Sequence, residues 1–299
     1  MQADFQLHSL SGLRVAWDRV AAGNPGLRSR EVASALNCSE ADLIATGRGA
    51  RMARLLDAGR IAEWLPLIAA QPNWMWLVRN EWAVLEKDVN DFGHDGNLGF
   101  SAPDGAVSID SVRASNFICL LTEPEQRMAA SVQIFNPRGE AVLKLFLKSR
   151  RDKGANLASL APYARDIGDG LLAKPNATVA EPRIGSVPGI EQSLPRSLHK
   201  QLIETAVEHG ASIELEVANS GARMWARLSP KRLKPMENWF NIMERGFNLH
   251  LQEPGLSESR FSIHEGALTA RILAEDGIEA LRIILPDPIA EGLLDEPQC

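Results

Sequence analysis

A chain of 299 residues that is 45% apolar and 23% charged has the composition of a soluble globular protein and length for about two domains, which excludes disordered and fibrous classes. The formal net charge of -6 repels polyanions and argues against nucleic acid as a partner. Cys38, Cys119 and Cys299 lie far apart, with no Cys-x-x-Cys pair, so a reducing cytoplasm fits better than a disulfide framework or a zinc site; a signal peptide and a membrane-spanning apolar run are likewise not expected.

Residues 5–70 read as helical, because apolar residues such as Leu55, Ile61, Leu65 and Ile68 recur at three- and four-residue spacing. Ser29-Arg30-Glu31 and Ser39-Glu40-Ala41-Asp42 each look like a helix start, a Ser followed by acidic residues that favour the first turn. Two short helices joined at Asn37-Cys38 have the outline of a helix-turn-helix, but Glu40 and Asp42 occupy the would-be reading helix, which favours packing against a core.

From Trp74 the period changes to two, predicting antiparallel strands at Trp74–Val78, Trp82–Glu86, Phe117–Thr122, Ala129–Phe135 and Ala141–Leu147. Asn136-Pro137-Arg138-Gly139 is a turn between the last two. The Gly-, Pro- and Ala-rich stretch that follows reads in part as linker. A helix at Leu198–Glu208 and a strand at Ile213–Val217 then open a second series.

The second series repeats the first. Val78-Arg79-Asn80 matches Val217-Ala218-Asn219 at an offset of 139 (219 − 80), and Gly139 matches Gly277 at 138 (277 − 139). Leu143–Leu147 keeps step with Leu281–Leu285, and Phe117–Leu121 is paired with Phe247–Leu251 at an offset of 130. The competing explanation is that any two antiparallel meanders look alike. The expected fold is therefore α+β: a tandem duplication of an antiparallel β-sheet unit with helices, behind a helical N-terminal segment. The expected division is an N-terminal repeat at 1–153, a linker-like segment at 154–192 and a C-terminal repeat at 193–299.

Leu77-Val78-Arg79-Asn80-Glu81-Trp82-Ala83-Val84-Leu85-Glu86-Lys87 resembles a motif of the bacterial cytoplasmic haem-utilisation, or haemin-degrading, proteins of the HemS and ChuS type. Ser131–Phe135 with Gly139 and Lys144 is similar to that family's first-repeat hairpin, and Trp239–Ile242 with Phe247–Leu251 to its second-repeat motif. The resemblance covers most of residues 15–150 and 195–285, and implies tandem repeats that hold haem between a sheet and neighbouring helices. It also implies an axial His in an Asp-x-His-x-Phe-Phe motif between the repeats, which this sequence lacks; residues 153–195 contain no His. Arg113 substitutes loosely for the family's haem-facing Arg.

Haem iron takes nitrogen, sulfur or phenolate donors, and the propionates take cations. The haem-binding candidates are His199, His209, Arg113 and His94, and the propionate candidates are Lys231, Arg232 and Lys234. Each has a plainer alternative: His199 and His209 on a helix surface, His94 in a solvated loop, and the basic group as a solvated turn. No paired-His metal spacing and no nucleophile motif occurs, so catalysis has no independent support. The expected ligand is haem or another flat small molecule; the alternative is a non-catalytic scaffold or regulatory protein, with a protein partner, that has lost haem binding.

Overall fold

The computed structural model describes residues 8–47, 51–94, 98–110, 116–124, 130–148, 155–179, 192–194 and 198–286. In chain order the helices α1 (Leu10–Gly23), α2 (Ser29–Ala35) and α3 (Glu40–Ala45) precede strand β1 (Arg51–Leu56), a 3-10 turn at Ala58–Arg60, and α4 (Ile61–Ala69). Strands β2 (Trp74–Arg79), β3 (Ala83–Val89), β4 (Gly93–His94), β5 (Gly99–Ala102), β6 (Gly105–Ile109), β7 (Ile118–Pro124), β8 (Ala130–Phe135) and β9 (Ala141–Leu147) follow. After a 3-10 helix at Ala155–Tyr163 come β10 (Ala164–Asp166) and β11 (Gln192–Leu194), then α5 (Leu198–Glu208). The chain closes with β12 (Ile213–Ala218), β13 (Ala222–Leu228), β14 (Trp239–Glu244), β15 (Phe247–Gln252), β16 (Leu256–His264), β17 (Ala267–Ala274) and β18 (Glu279–Pro286).

Two compact units form: residues 1–76, 94–98 and 110–180, and residues 77–93, 99–109 and 181–299. The first carries the strand order β10-β1-β7-β8-β9, all antiparallel, with α1 and α3 packed through Leu10, Leu13, Ala41 and Ile44 onto Leu120 and Phe135. Every residue of β8 is buried, as expected of a central strand covered on both faces. Residues 51–56 were expected to be helical. Their Arg, Met, Ala and Leu are good helix formers, yet they form β1, because antiparallel pairing with β7 from Arg51↔Pro124 to Leu56↔Cys119 overrides a weak local preference.

Helix α3 is buried along its whole length. Ser39 caps it by accepting from the Asp42 N–H at 3.0 Å. Lys144 Nζ and the Ser29 hydroxyl both donate to Glu40 Oε1, at 2.6 and 2.7 Å, so two buried charges neutralise each other on the sheet. Asp42 Oδ1 accepts from the backbone N–H groups of Leu172 and Ala173 and so anchors the returning chain. The segment expected to be linker-like, 154–192, carries the 3-10 helix with Leu157 and Leu160 buried, together with β10.

In the second unit one sheet runs β11-β16-β17-β18-β12-β13-β6-β5, and β3, β15 and β14 pair side by side in that order. The duplication is legible in its turns. Asn80 Oδ1 accepts from the N–H groups of Trp82 and Ala83 at 3.0 and 2.8 Å, and Asn219 Oδ1 accepts from Gly221 and Ala222 at 3.0 and 2.9 Å. The two turns also grip each other: Asn80 Nδ2 donates to Ala280 O and Ala218 O, at 2.8 and 3.3 Å, and Asn219 Nδ2 to Arg79 O at 2.8 Å.

Further along, β8–β9 and β17–β18 have matching register shifts, between Ile134 and Phe135 and between Ile272 and Leu273, and matching glycines at φ +81° (Gly139) and +79° (Gly277). One expected match is corrected. β15 pairs with β3 as β6 pairs with β13, so the counterpart of Phe247–Leu251 is Gly105–Ile109, and β7 corresponds instead to β16. Alternating apolar strands of one length are interchangeable on paper; only the pairing partner separates them.

Candidate functional site

An open cleft of about 600 Å³ lies in the first unit, lined by Leu55, Leu56, Asp57, Ala58, Gly59, Phe117, Ile118, Pro162, Tyr163, Ala164, Arg165 and Leu172. This volume falls within the range of small-molecule sites, roughly 300–1,000 Å³. Strand pairing builds its floor, since Leu56 lies opposite Ala164 and Leu55 opposite Arg165. Where β1 ends, Asp57 accepts from the Gly59 N–H at 3.0 Å, starting the 3-10 turn. The Asp57 N–H donates to Tyr163 O at 2.9 Å, and Trp64 Nε1 donates to Asp57 O at 2.9 Å.

The surface the cleft exposes is mostly polar, because Leu55, Ile118 and Leu172 are packed against the core of the first unit. The Arg60 guanidinium lies 4.5 Å from the centroid of the Tyr163 ring, a cation–π contact. Glu63 holds it through two hydrogen bonds, from Arg60 Nε at 2.9 Å and Nη2 at 2.6 Å; this pairing raises the pKa of Arg60 and lowers that of Glu63. Tyr163 is the sole tyrosine of the chain. The polar side chains lining the cleft are the Tyr163 phenol, the Arg165 guanidinium and the Asp57 carboxylate. This small, mostly polar exposed surface does not fit the broad apolar faces of a haem.

The candidates singled out from sequence lie elsewhere. His199 sits on α5, 2% exposed, edge-on to Phe240 of β14 at 5.6 Å, with Nε2 3.5 Å from Glu253 Oε1. Lys200 Nζ reaches the same carboxylate at 2.6 Å. His209, just past the end of α5, is exposed, its Nδ1 2.9 Å from the Thr205 carbonyl one turn back. His94 is half-buried in β4, and Arg113 lies outside the described residues.

Lys231, Arg232 and Lys234 are exposed, on a segment tied to β14 by its backbone: the Lys231 and Arg232 N–H groups donate to Glu244 Oε1 at 2.7 Å each, and the Lys234 N–H to Asn241 O at 2.9 Å. Thus β14 brings His199 and the basic segment onto one element, whereas His209 lies at the opposite end of α5. Nothing in the order of residues announces that Leu55, Phe117 and Tyr163 line one cleft.

Among the described residues no three His, Cys, Asp or Glu side chains cluster as a metal site, and no helix is long and apolar enough to cross a membrane. Burial pushes the Cys38 thiol up to about 11, with the Asp42 charge adding to it, and burial drives Cys119 higher still; neither is a ready nucleophile or thiolate ligand.

The chain matches no protein-family model and no curated protein. It does match solved structures over nearly its full length. Holo-PhuS, a heme-binding protein from Pseudomonas aeruginosa, is 21% identical with a TM-score of 0.76, over 93% of this chain and 94% of that one. ChuS from Escherichia coli O157:H7, described as a heme degrading enzyme, is 18% identical with a TM-score of 0.78, over 95% and 98%. A second structure of ChuS, described as an E. coli heme oxygenase, is 19% identical with a TM-score of 0.73, over 91% and 93%. The α+β fold with its duplicated sheet unit is that of these proteins.

Proposed function

We propose that this chain is a cytoplasmic haem-binding or haem-trafficking protein of bacterial haem and iron utilisation, with residues 1–153 and 193–299 as its two repeats. The observation that carries the reading is the full-length likeness in fold to PhuS, a heme-binding protein, and ChuS, a heme degrading enzyme. The histidines proposed as iron donors, His199, His209 and His94, and the proposed propionate partners Arg113, Lys231, Arg232 and Lys234 are separable by single Ala substitutions.

Titration of the protein with hemin, followed by absorbance, tests the reading. A saturable Soret shift at micromolar hemin is the expected result. Its absence would leave the second reading, a scaffold or regulatory protein of the same fold, which is favoured by the lack of an Asp-x-His-x-Phe-Phe motif between the repeats.

A further inference from the structure

We propose that the hairpin of residues 232–243 in the second unit is a docking surface for an extended acidic segment of a partner protein that also carries apolar side chains. This goes beyond the haem-binding reading and stands whether or not hemin binds. The backbone defines the hairpin. The Met236 N–H donates to Trp239 O at 2.8 Å, and the Trp239 N–H donates back to Met236 O at 3.0 Å, closing a two-residue turn at Glu237-Asn238. Pairing continues through Leu233 opposite Ile242 to the Met243 N–H, which donates to Arg232 O at 3.0 Å. Strand alternation then puts Arg232, Lys234 and Met236 on the same face as Trp239, Asn241 and Met243.

That face combines apolar exposure with unpaired charge. Met236 and Met243 are 57% and 37% exposed, and Lys231, Arg232 and Lys234 are exposed beside them. Among the described residues no acidic side chain pairs with these three cations, whereas Arg60, Lys87, Lys144, Arg223 and Arg227 each have a carboxylate partner. Glu244 is engaged by backbone, accepting from the Lys231 and Arg232 N–H groups at 2.7 Å each. The fold does not require cations here: β3 and β5 are the first-repeat counterparts of β13 and β14, and their connection, residues 90–98, holds Asp91 and Asp95 and no Lys or Arg.

Charge and geometry choose the occupant. Met and Arg are enriched where proteins bind one another, and exposed Met adapts to irregular apolar partners. Residues two apart on a strand are separated by about 7 Å, so Arg232 and Lys234 match carboxylates at alternate positions of an extended segment, and an apolar residue two further on covers Met236. Pro235 offers no N–H, so the partner lies on the face rather than adding a strand at the edge. The whole chain carries a net charge of -6 and repels an anionic membrane or a nucleic acid, whereas a short segment within a Debye length of about 8–10 Å senses the local cations.

Fluorescence anisotropy of a labelled peptide, Glu-Ser-Glu-Ser-Leu-Ser repeated twice, titrated with the full chain, tests the proposal. A saturable rise is expected, at least fivefold weaker at about 300 mM than at about 50 mM salt. Peptides with Lys in place of Glu, or Ser in place of Leu, should bind at least threefold more weakly. Lys231→Glu, Arg232→Glu and Lys234→Glu combined should weaken binding at least tenfold, and Met236→Ser with Met243→Ser at least threefold. Lys174→Glu, exposed in the first unit, should change nothing. Circular dichroism and melting temperature establish folding, and the three cations changed to Gln replace the Glu variant if it does not fold. Wild-type protein that does not bind the peptide, or binds it as tightly after the triple substitution, overturns the proposal. So does tighter, hairpin-dependent binding to phosphatidylglycerol vesicles or duplex DNA, or a salt-sensitive dimer of the chain alone that the triple substitution abolishes. Hemin affinity lost in the triple variant while peptide affinity is kept assigns the cations to propionates and overturns it as well. Wild-type protein that binds the peptide but not hemin overturns the functional reading alone.

Discussion

Replacing Asn80 with Ala removes three good hydrogen bonds at once: two backbone N–H groups lose their acceptor, and Ala280 O loses its donor at 2.8 Å. Asn219→Ala removes the equivalent three, to Gly221, Ala222 and Arg79. At a net of about 1 kcal/mol per bond, each single variant should lose about 3 kcal/mol. The two turns grip one another, so either substitution frees the neighbour's strand end and reduces what the second can still cost. The double variant should then lose about 4–5 kcal/mol rather than the additive 6, a coupling within the range seen for residues in contact. Urea denaturation followed by tryptophan fluorescence measures all four proteins. Additive losses, or single losses below about 0.5 kcal/mol, would refute the reading of these asparagines as matched clamps.

The same repeat makes a differential prediction at Gly139 and Gly277, both at positive φ. A Cβ at Gly139 would lie 2.5 Å from Ser39 Cβ, whereas one at Gly277 meets nothing within 4 Å; Gly277→Ala should cost about 1–2 kcal/mol from backbone strain alone, and Gly139→Ala clearly more, by urea denaturation. Lys144→Met leaves the Glu40 carboxylate buried without its ion-pair partner and should cost about 3–5 kcal/mol, while Glu40→Met combined with Lys144→Met recovers most of it. Mass-spectrometric mapping of iodoacetamide adducts at pH 8 should find Cys38 and Cys119 modified only after denaturant is added. Because the folded Cys38 pKa is raised, the unfolded chain loses its proton first; stability should decline between pH 9 and about 11, and less so in Cys38→Ala.

The fold was legible where local chemistry carries it. The Asn turns, the Gly139 and Gly277 turns and the alternating strands around them are set by short-range backbone requirements, so the duplication can be read from Asn80 and Asn219 alone. What failed depended on partners distant in sequence. Arg51–Leu56 becomes a strand only because β7 and β10 flank it, and Phe247–Leu251 finds its counterpart only through its pairing with β3. The candidate site was the least legible part. His199 has the spacing of an exposed helix residue, yet α5 turns it inward against Phe240, while Leu55, Phe117 and Tyr163 are gathered from three elements whose adjacency no motif encodes.

The account depends most on the binding of hemin by the folded chain. Tryptophan emission offers a direct measurement, since the chain carries seven tryptophans whose emission a bound haem quenches. Emission titrated with hemin at fixed protein concentration should fall to a plateau at one hemin per chain, with micromolar or tighter affinity. Quenching that grows in proportion to added hemin without a plateau would contradict it.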